Sequence, residues 1–172
     1  MIVGIDLGTT HSLIGAYTEQ GSKLFPNALG DLLTPSVVSV DGGTVLVGQA
    51  ARDRLISHPE HTVASFKRWM GSSRETRLGD RNFRPEELSA LVLRSLLADA
   101  EAALGEKITE AVISVPRALI AETINVIAVL SGRGQHRRFV QGDTAAVLDR
   151  ARHVVAADRP GAAPGVHHER IR

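Results

Sequence analysis

Asp6, Gly8, Thr9 and Thr10 have types and spacing that can do chemistry, and the chemistry they fit is the holding of phosphate. They lie in the run Ile2-Val3-Gly4-Ile5-Asp6-Leu7-Gly8-Thr9-Thr10-His11-Ser12, which reads as a buried strand delivering one carboxylate into a tight turn. A second strand resumes from Ser12 to Tyr17. Gly8 lets the backbone approach an anion closely, the N–H groups around Thr9 and Thr10 can form a concave nest, and their hydroxyls add donors. Asp6 at the strand end can orient water around a divalent cation, because hard cations bound with phosphates keep several waters and use few protein carboxylates. The pattern D-x-G-T is also ordinary hairpin punctuation. The place of the turn directly after the first strand, and its doubled threonine, weigh toward phosphate.

Other chemistries find less support. The glycine-rich loop ending in Gly-Lys-Ser/Thr is absent, which excludes a P-loop ATPase. No Ser-His-Asp arrangement or pair of catalytic carboxylates follows from the spacing. Of seven histidines only His167 and His168 are adjacent, with no carboxylate or thiolate cluster to complete a metal site. Gly132-Arg133-Gly134 and Arg137-Arg138 have the charge to touch nucleic acid, but a short arginine cluster is ordinarily just solvated, so no nucleic-acid partner is expected. Trp69 and Tyr17 read as packing residues rather than platforms for a base.

The elements that must position the turn are α/β in character. Strand patterns at Ile2 to Asp6 and Ser12 to Tyr17 are followed by Pro35 to Val40 and Thr44 to Val47, the last two joined by the hairpin signal Asp41-Gly42-Gly43. The N-terminal part is thus expected to be a mainly antiparallel meander. Gln49 to Ser57 and Glu60 to Met70 are compatible with short helices. A longer helix opens at Pro85 with Glu86 and Glu87, carries Leu88, Leu91, Val92, Leu96 and Ala103 as its apolar stripe, and ends at Gly105. Ala111 to Val115 reads as a buried strand ended by Pro116. At 172 residues with 43% hydrophobic content the chain has about one domain's worth of sequence, since a domain takes about 100 to 200 residues. A net charge of +1 gives no strong field toward nucleic acid or anionic membrane. Cysteine is absent, no secretory leader pattern opens the sequence, and no run reaches the roughly 18 apolar residues of a membrane span. A cytoplasmic protein without a membrane partner is expected.

Several co-linear blocks carry a family resemblance: IVGIDLGTT, PNALGDLLTPSVVSV, VGQAAR, SFKRWMG and EELSALVLRSLLADAEAALGEKITEAVISVP. In this order, over residues 2 to 116, the chain resembles the start of a seventy-kilodalton heat-shock chaperone of the DnaK type, and SHPEHTVASFKRWMGS looks closest to the HscC-like branch. The resemblance implies an actin-like (ribonuclease-H-like) ATPase lobe with a mixed sheet. It implies a chaperone that binds ATP/ADP and Mg2+ in a cleft between two lobes, with unfolded polypeptides, J-domain co-chaperones and nucleotide exchange factors as partners. Residue by residue, it implies that Asp6, Gly8, Thr9 and Thr10 form the first phosphate loop, with Asp6 acting on magnesium through water and Thr10 near the transferred phosphate. Lys67 matches the catalytic lysine, and Pro116 the proline that couples nucleotide state to interdomain signalling. His11 stands where the family usually has asparagine or tyrosine.

Beyond Pro116 the character changes. The family pattern calls for a Pro-Ala-Tyr-Phe segment, and the sequence instead gives Arg117-Ala118-Leu119-Ile120. No lysine follows Lys107, whereas nine of the seventeen arginines fall between Arg117 and Arg172. Residues 1–116 are therefore read as the first lobe and 117–172 as a divergent Arg/Ala/Gly-rich tail, out of frame or disordered, with Ala118 to Leu130 its one apolar segment. The second phosphate loop, a Gly-Gly-Gly-Thr block, has no counterpart, nor do the second lobe and the substrate-binding domain. The leading expectation is an ATP-binding chaperone fragment, probed against two alternatives: a non-catalytic remnant or pseudogene product, and an interaction module using the basic tail.

Overall fold

The computed structural model describes residues 1–114 and the backbone of a short strand at Gln141–Gly142. Pro116, the apolar segment 118–130 and, apart from Gln141–Gly142, the rest of the arginine-rich tail lie outside the described residues.

A mixed sheet forms the centre. Its strands are β1 (Ile2–Asp6), β2 (His11–Thr18), β3 (Gly21–Leu24), β10 (Glu110–Ser114) and β11 (Gln141–Gly142), in the order β11-β10-β1-β2-β3. β2 and β3 run antiparallel to their neighbours, whereas β10 runs parallel to β1 and β11 parallel to β10. β1 is the middle strand, and its Val3 and Ile5 are buried with almost no exposure, as expected of a strand covered on both faces. The antiparallel pairing foreseen at the N-terminus holds for β1 with β2 and for β5 (Val37–Asp41) with β6 (Thr44–Val47), but the latter pair lies in a separate sheet, and β3 is not marked by the strand pattern. The parallel half of the sheet begins only where the chain returns at β10.

Between β3 and β10 the chain builds a second layer. β4 (Thr34–Pro35) pairs with β2, and β5 (Val37–Asp41) sits between β6 (Thr44–Val47) and β7 (Thr62–Ala64) in a three-stranded sheet. The β5–β6 turn is the one foreseen: Asp41 pairs with Thr44, and Gly42 and Gly43 both take positive φ, as a two-residue hairpin loop with matching twist requires. Gln49 to Ser57 becomes two short helices, α1 (Gln49–Arg52) and α2 (Arg54–Ser57). Glu60 to Met70, expected to be helical, instead runs as a 3-10 turn at Pro59–His61, then β7, then a second 3-10 turn at Phe66–Trp69. The reason is tertiary: Thr62, Val63 and Ala64 complete the free edge of β5 opposite Ser39, Val38 and Val37. A further hairpin, β8 (Thr76–Leu78) with β9 (Arg81–Phe83), turns on Gly79-Asp80.

Helix α3 (Pro85–Leu104) binds the layers together. Pro85 occupies its first turn, the Arg84 N–H donates to the Glu87 carboxylate at 2.8 Å, and Gly105 closes it in the left-handed conformation with its N–H on Glu101 O. Its buried face is Leu88, Val92, Leu93, Leu96, Leu97 and Ala100, continued by the partly buried Leu91 and Leu104. Ala103, assigned to the stripe from spacing, is exposed; Ala100 and Leu104 hold the packing positions around it. Among the described residues no helix is long and apolar enough to cross a membrane. Trp69 packs against the core, and the Arg74 guanidinium lies 3.6 Å from its ring centroid.

The contrast along α3 is testable. Leu93→Ala, at a fully buried position, should cost about 2–5 kcal/mol of unfolding free energy. Ala103→Ser should stay within about 0.5 kcal/mol of the unmodified chain, as surface substitutions do. Urea denaturation followed by far-ultraviolet circular dichroism reads both.

Candidate functional site: a turn braced from below by a buried lysine

β1 ends at Asp6 because the next four residues, Leu7 to Thr10, leave the ladder and turn back into β2. The turn needs glycine at position 8. A Cβ placed there would stand 2.0 Å from the His11 carbonyl oxygen, closer than any side chain tolerates. The constraint is space, not positive φ. Gly8 also carries two of the contacts that fix the turn: its N–H donates to Ser12 Oγ at 3.2 Å, and its carbonyl accepts from Ser36 Oγ at 2.9 Å. Ser36 N–H donates to Thr10 O at 2.8 Å. The two hydroxyls, both buried, lie 2.9 Å apart.

Asp6 stands between β2 and β10, opposite Leu13 on one side and Ser114 on the other. The Ser114 hydroxyl donates to Asp6 Oδ1 at 2.6 Å, which fixes the carboxylate at the carboxyl end of the sheet and leaves its second oxygen for other donors. Ligand sites in open α/β sheets lie at these strand ends.

Lys67 reaches the same place from sixty residues away. It is carried by the 3-10 turn Phe66–Trp69, its side chain is buried, and its Nζ donates to the carbonyl of Leu7, between Asp6 and Gly8. Burial lowers the lysine pKa from its ordinary value, and the negative charge of Asp6 opposes that shift. The residue before this turn, Ser65, adopts a left-handed backbone with φ of 56°, rare for a residue that is not glycine. Beside it lies a small cleft of about 120 Å³ lined by Thr9, Thr10, Pro35, Ser36, Val37, Arg52, Leu55, Ala64 and Ser65. Pockets for organic ligands run to about 300–1,000 Å³. This cleft is too small for a nucleoside and has room for an anion or a few waters.

Asp6, Gly8, Thr9, Thr10 and Lys67 are therefore gathered around one turn, while Pro116 lies outside the described residues. Sequence reasoning missed Ser12, Ser36, Ser65 and Ser114. Only a hydroxyl at a strand position otherwise expected to be apolar hints at the first two, and nothing local marks Ser65 or Ser114. Among the described residues no group of three or more His, Cys, Asp or Glu side chains gathers to hold a metal directly.

The sequence model of the family described as Hsp70 protein matches residues 2–78 and 73–119. The chain belongs to the Hsp70 family. Hsp70 proteins are chaperones, and the mixed sheet with its antiparallel and parallel halves is consistent with the actin-like ATPase lobe of that family. The family generally uses nucleotide with Mg2+ and binds unfolded polypeptides and co-chaperones. The Hsp70 match covers every residue gathered around the turn, together with the strands that place them.

Two measurements follow. Gly8→Ala should destabilise the chain by about 1–3 kcal/mol, the usual cost of forced overpacking, and should reshape the turn, seen as amide shifts at Thr9 and Thr10. Lys67→Met should flatten the dependence of the melting temperature on pH above pH 7, because it removes the buried titrating amine. As pH climbs through the lowered folded-state pKa toward the ordinary 10.5, the folded chain sheds its proton before the unfolded chain does. The unfolded state then binds more protons, so the unmodified chain gains stability with pH. Melts of both chains between pH 7 and 10 should record this gain in the unmodified chain and not in the methionine variant.

Proposed function

We propose that residues 1–116 are the first lobe of a nucleotide-binding domain whose turn at Asp6 to Thr10 holds the phosphates of ATP or ADP. The observation that carries this reading is the convergence of Asp6 and the buried Lys67 on the backbone of a turn that only glycine permits. Thr9 and Thr10 supply hydroxyl and backbone donors suited to phosphate oxygens. Asp6, with one oxygen on Ser114, would use the other to hold the water shell of Mg2+, which would neutralise phosphate charge. In this reading Lys67 would supply the positive charge that stabilises charge developing on a transferred phosphoryl group and would help place the attacking water, with Thr10 near that group. Pro116 is the proposed coupling residue. The HscC-like branch is the proposed subfamily, on the strength of SHPEHTVASFKRWMGS.

By the same reading the chaperone partners are those of the family: unfolded polypeptides, J-domain co-chaperones and nucleotide exchange factors. In this reading residues 117–172 form a divergent tail, of which only the first three residues fall within the family match. The sequence contains no Gly-Gly-Gly-Thr block, so the groups that would face the turn from across a nucleotide cleft are not supplied by any motif in these 172 residues. Phosphoryl transfer depends on positioning from several sides, and effective-molarity gains of about 7–11 kcal/mol require the groups to converge.

The 172-residue polypeptide should accordingly bind MgATP weakly in calorimetry, hydrolyse it near background, and lose almost nothing on Lys67→Ala. When the chain is completed by fusion to a family second lobe, the same substitution should lower turnover strongly with a smaller effect on affinity, since the lysine acts mainly in the transition state. Robust, Lys67-dependent turnover by the 172-residue chain would show that the tail builds the missing wall.

A further inference from the structure

The hydrogen bonds around Gly8 close a ring whose direction is fixed by chemistry. A backbone N–H can only donate and a carbonyl can only accept, and a serine hydroxyl has a single proton. Ser36 Oγ spends its proton on Gly8 O at 2.9 Å. The 2.9 Å contact between the hydroxyls must then be donated by Ser12, and Ser12 Oγ in turn accepts from Gly8 N–H at 3.2 Å. The circuit runs from Gly8 N–H through Ser12 and Ser36 to Gly8 C=O. Both hydroxyl protons are used, so neither serine has one to give a ligand.

The ring acts on the next peptide group. The Gly8–Thr9 peptide is planar and trans, so its N–H points opposite to its C=O. With Gly8 O drawn inward to a serine that is almost wholly buried, Thr9 N–H is turned outward to the open side of the turn. There it donates to no backbone acceptor among the described residues. We propose that Ser12 and Ser36 are positioning residues: their hydroxyl ring locks the Gly8 peptide planes so that Thr9 N–H stands preorganised as a donor to a phosphate oxygen. This rests on the phosphate-loop reading and adds to it the device that sets the aim of the loop. A flexible turn would have to be ordered at each binding event, at a cost the ring removes in advance.

The test uses the 172-residue chain, MgATP as the probe, and four variants: Ser12→Ala, Ser36→Ala, Ser36→Thr and Ser39→Ala. Ser39 is the control, because its hydroxyl accepts a comparable buried bond from Thr62 Oγ1 at 3.0 Å in the β5–β7 pair, away from the turn. Backbone 15N relaxation in the free protein and amide shifts during MgATP titration are read together. Removing either ring hydroxyl should raise fast motion at Gly8 and Thr9 and weaken the MgATP response of the Thr9 amide about tenfold, the worth of one well-placed hydrogen bond. Ser39→Ala should lose similar thermal stability and leave both readouts unchanged, and Ser36→Thr, which keeps the hydroxyl, should restore them. A rigid turn with unaltered MgATP response in Ser12→Ala and Ser36→Ala overturns the ring and leaves the phosphate loop standing. A turn that loosens as expected, with no Thr9 response to MgATP even in the unmodified chain, overturns the phosphate loop and the positioning role with it. If Ser36→Ala does not fold, Ser12→Ala breaks the same circuit from the other side and decides the matter.

Discussion

Everything at this site depends on holding one ammonium group out of water beneath the turn after β1. A buried lysine is costly unless its proton donors find acceptors and its charge finds an opposite. Here the Leu7 carbonyl takes one N–H bond and Asp6 supplies the opposite charge, yet burial still outweighs that attraction, since the lysine pKa remains below its ordinary value. Desolvation of the ammonium group thus opposes its charged form despite the carboxylate nearby. A cation kept partly desolvated beside a carboxylate and a set of free donors is more useful to an incoming anion than to the folded chain alone. Burial and the charge of Asp6 pull in opposite directions at this residue.

That constraint explains the second layer. Lys67 reaches Leu7 only because the segment after α2 is fastened to the free edge of β5 as β7, which delivers the chain to Ser65 and the tight 3-10 turn that follows. α3 then packs behind that turn, and Ser89 Oγ lies 3.7 Å from Met70 Sδ where the two elements meet. The left-handed Ser65 marks the corner where a regular strand gives way to the lysine-bearing turn. Local backbone strain of about 1–3 kcal/mol at such a corner persists only when the surroundings over-determine it. β7 on one side and α3 on the other do so.

Much of this was legible in the sequence where the signal is local. Asp41-Gly42-Gly43 fixes a hairpin because only a two-residue loop with positive φ at both positions suits the twist of paired strands, and Pro85 with Gly105 brackets a helix because each is chemically suited to its end. The misreadings share a cause. Thr62–Ala64 is too short to show a period, and its strand state comes from β5, a partner more than twenty residues away in sequence. Ala103 satisfies the helical spacing but lies at the frayed end of the stripe, where a shift of one residue decides between Ala100, Leu104 and solvent. At the candidate site, Asp6, Gly8, Thr9 and Thr10 were visible from residue type, and Lys67 only from the family resemblance. The serines that hold them were invisible, because a buried hydroxyl has no sequence signature until its partner is known.

Two kinds of interaction thus divide the work at the turn. Charge is supplied by Asp6 and Lys67, which act over several ångströms and tolerate small displacements. Direction is supplied by neutral hydroxyls on Ser12, Ser36 and Ser114, which act only at contact distance and fix peptide planes and a carboxylate oxygen. Phosphate recognition needs both, since charge draws the anion in and oriented donors decide where its oxygens rest. The described residues of this Hsp70 chain place charged and hydroxyl groups around one turn. Chemistry on a phosphoryl group asks for more than a docking point, since the nucleoside and the departing group must also be held in line.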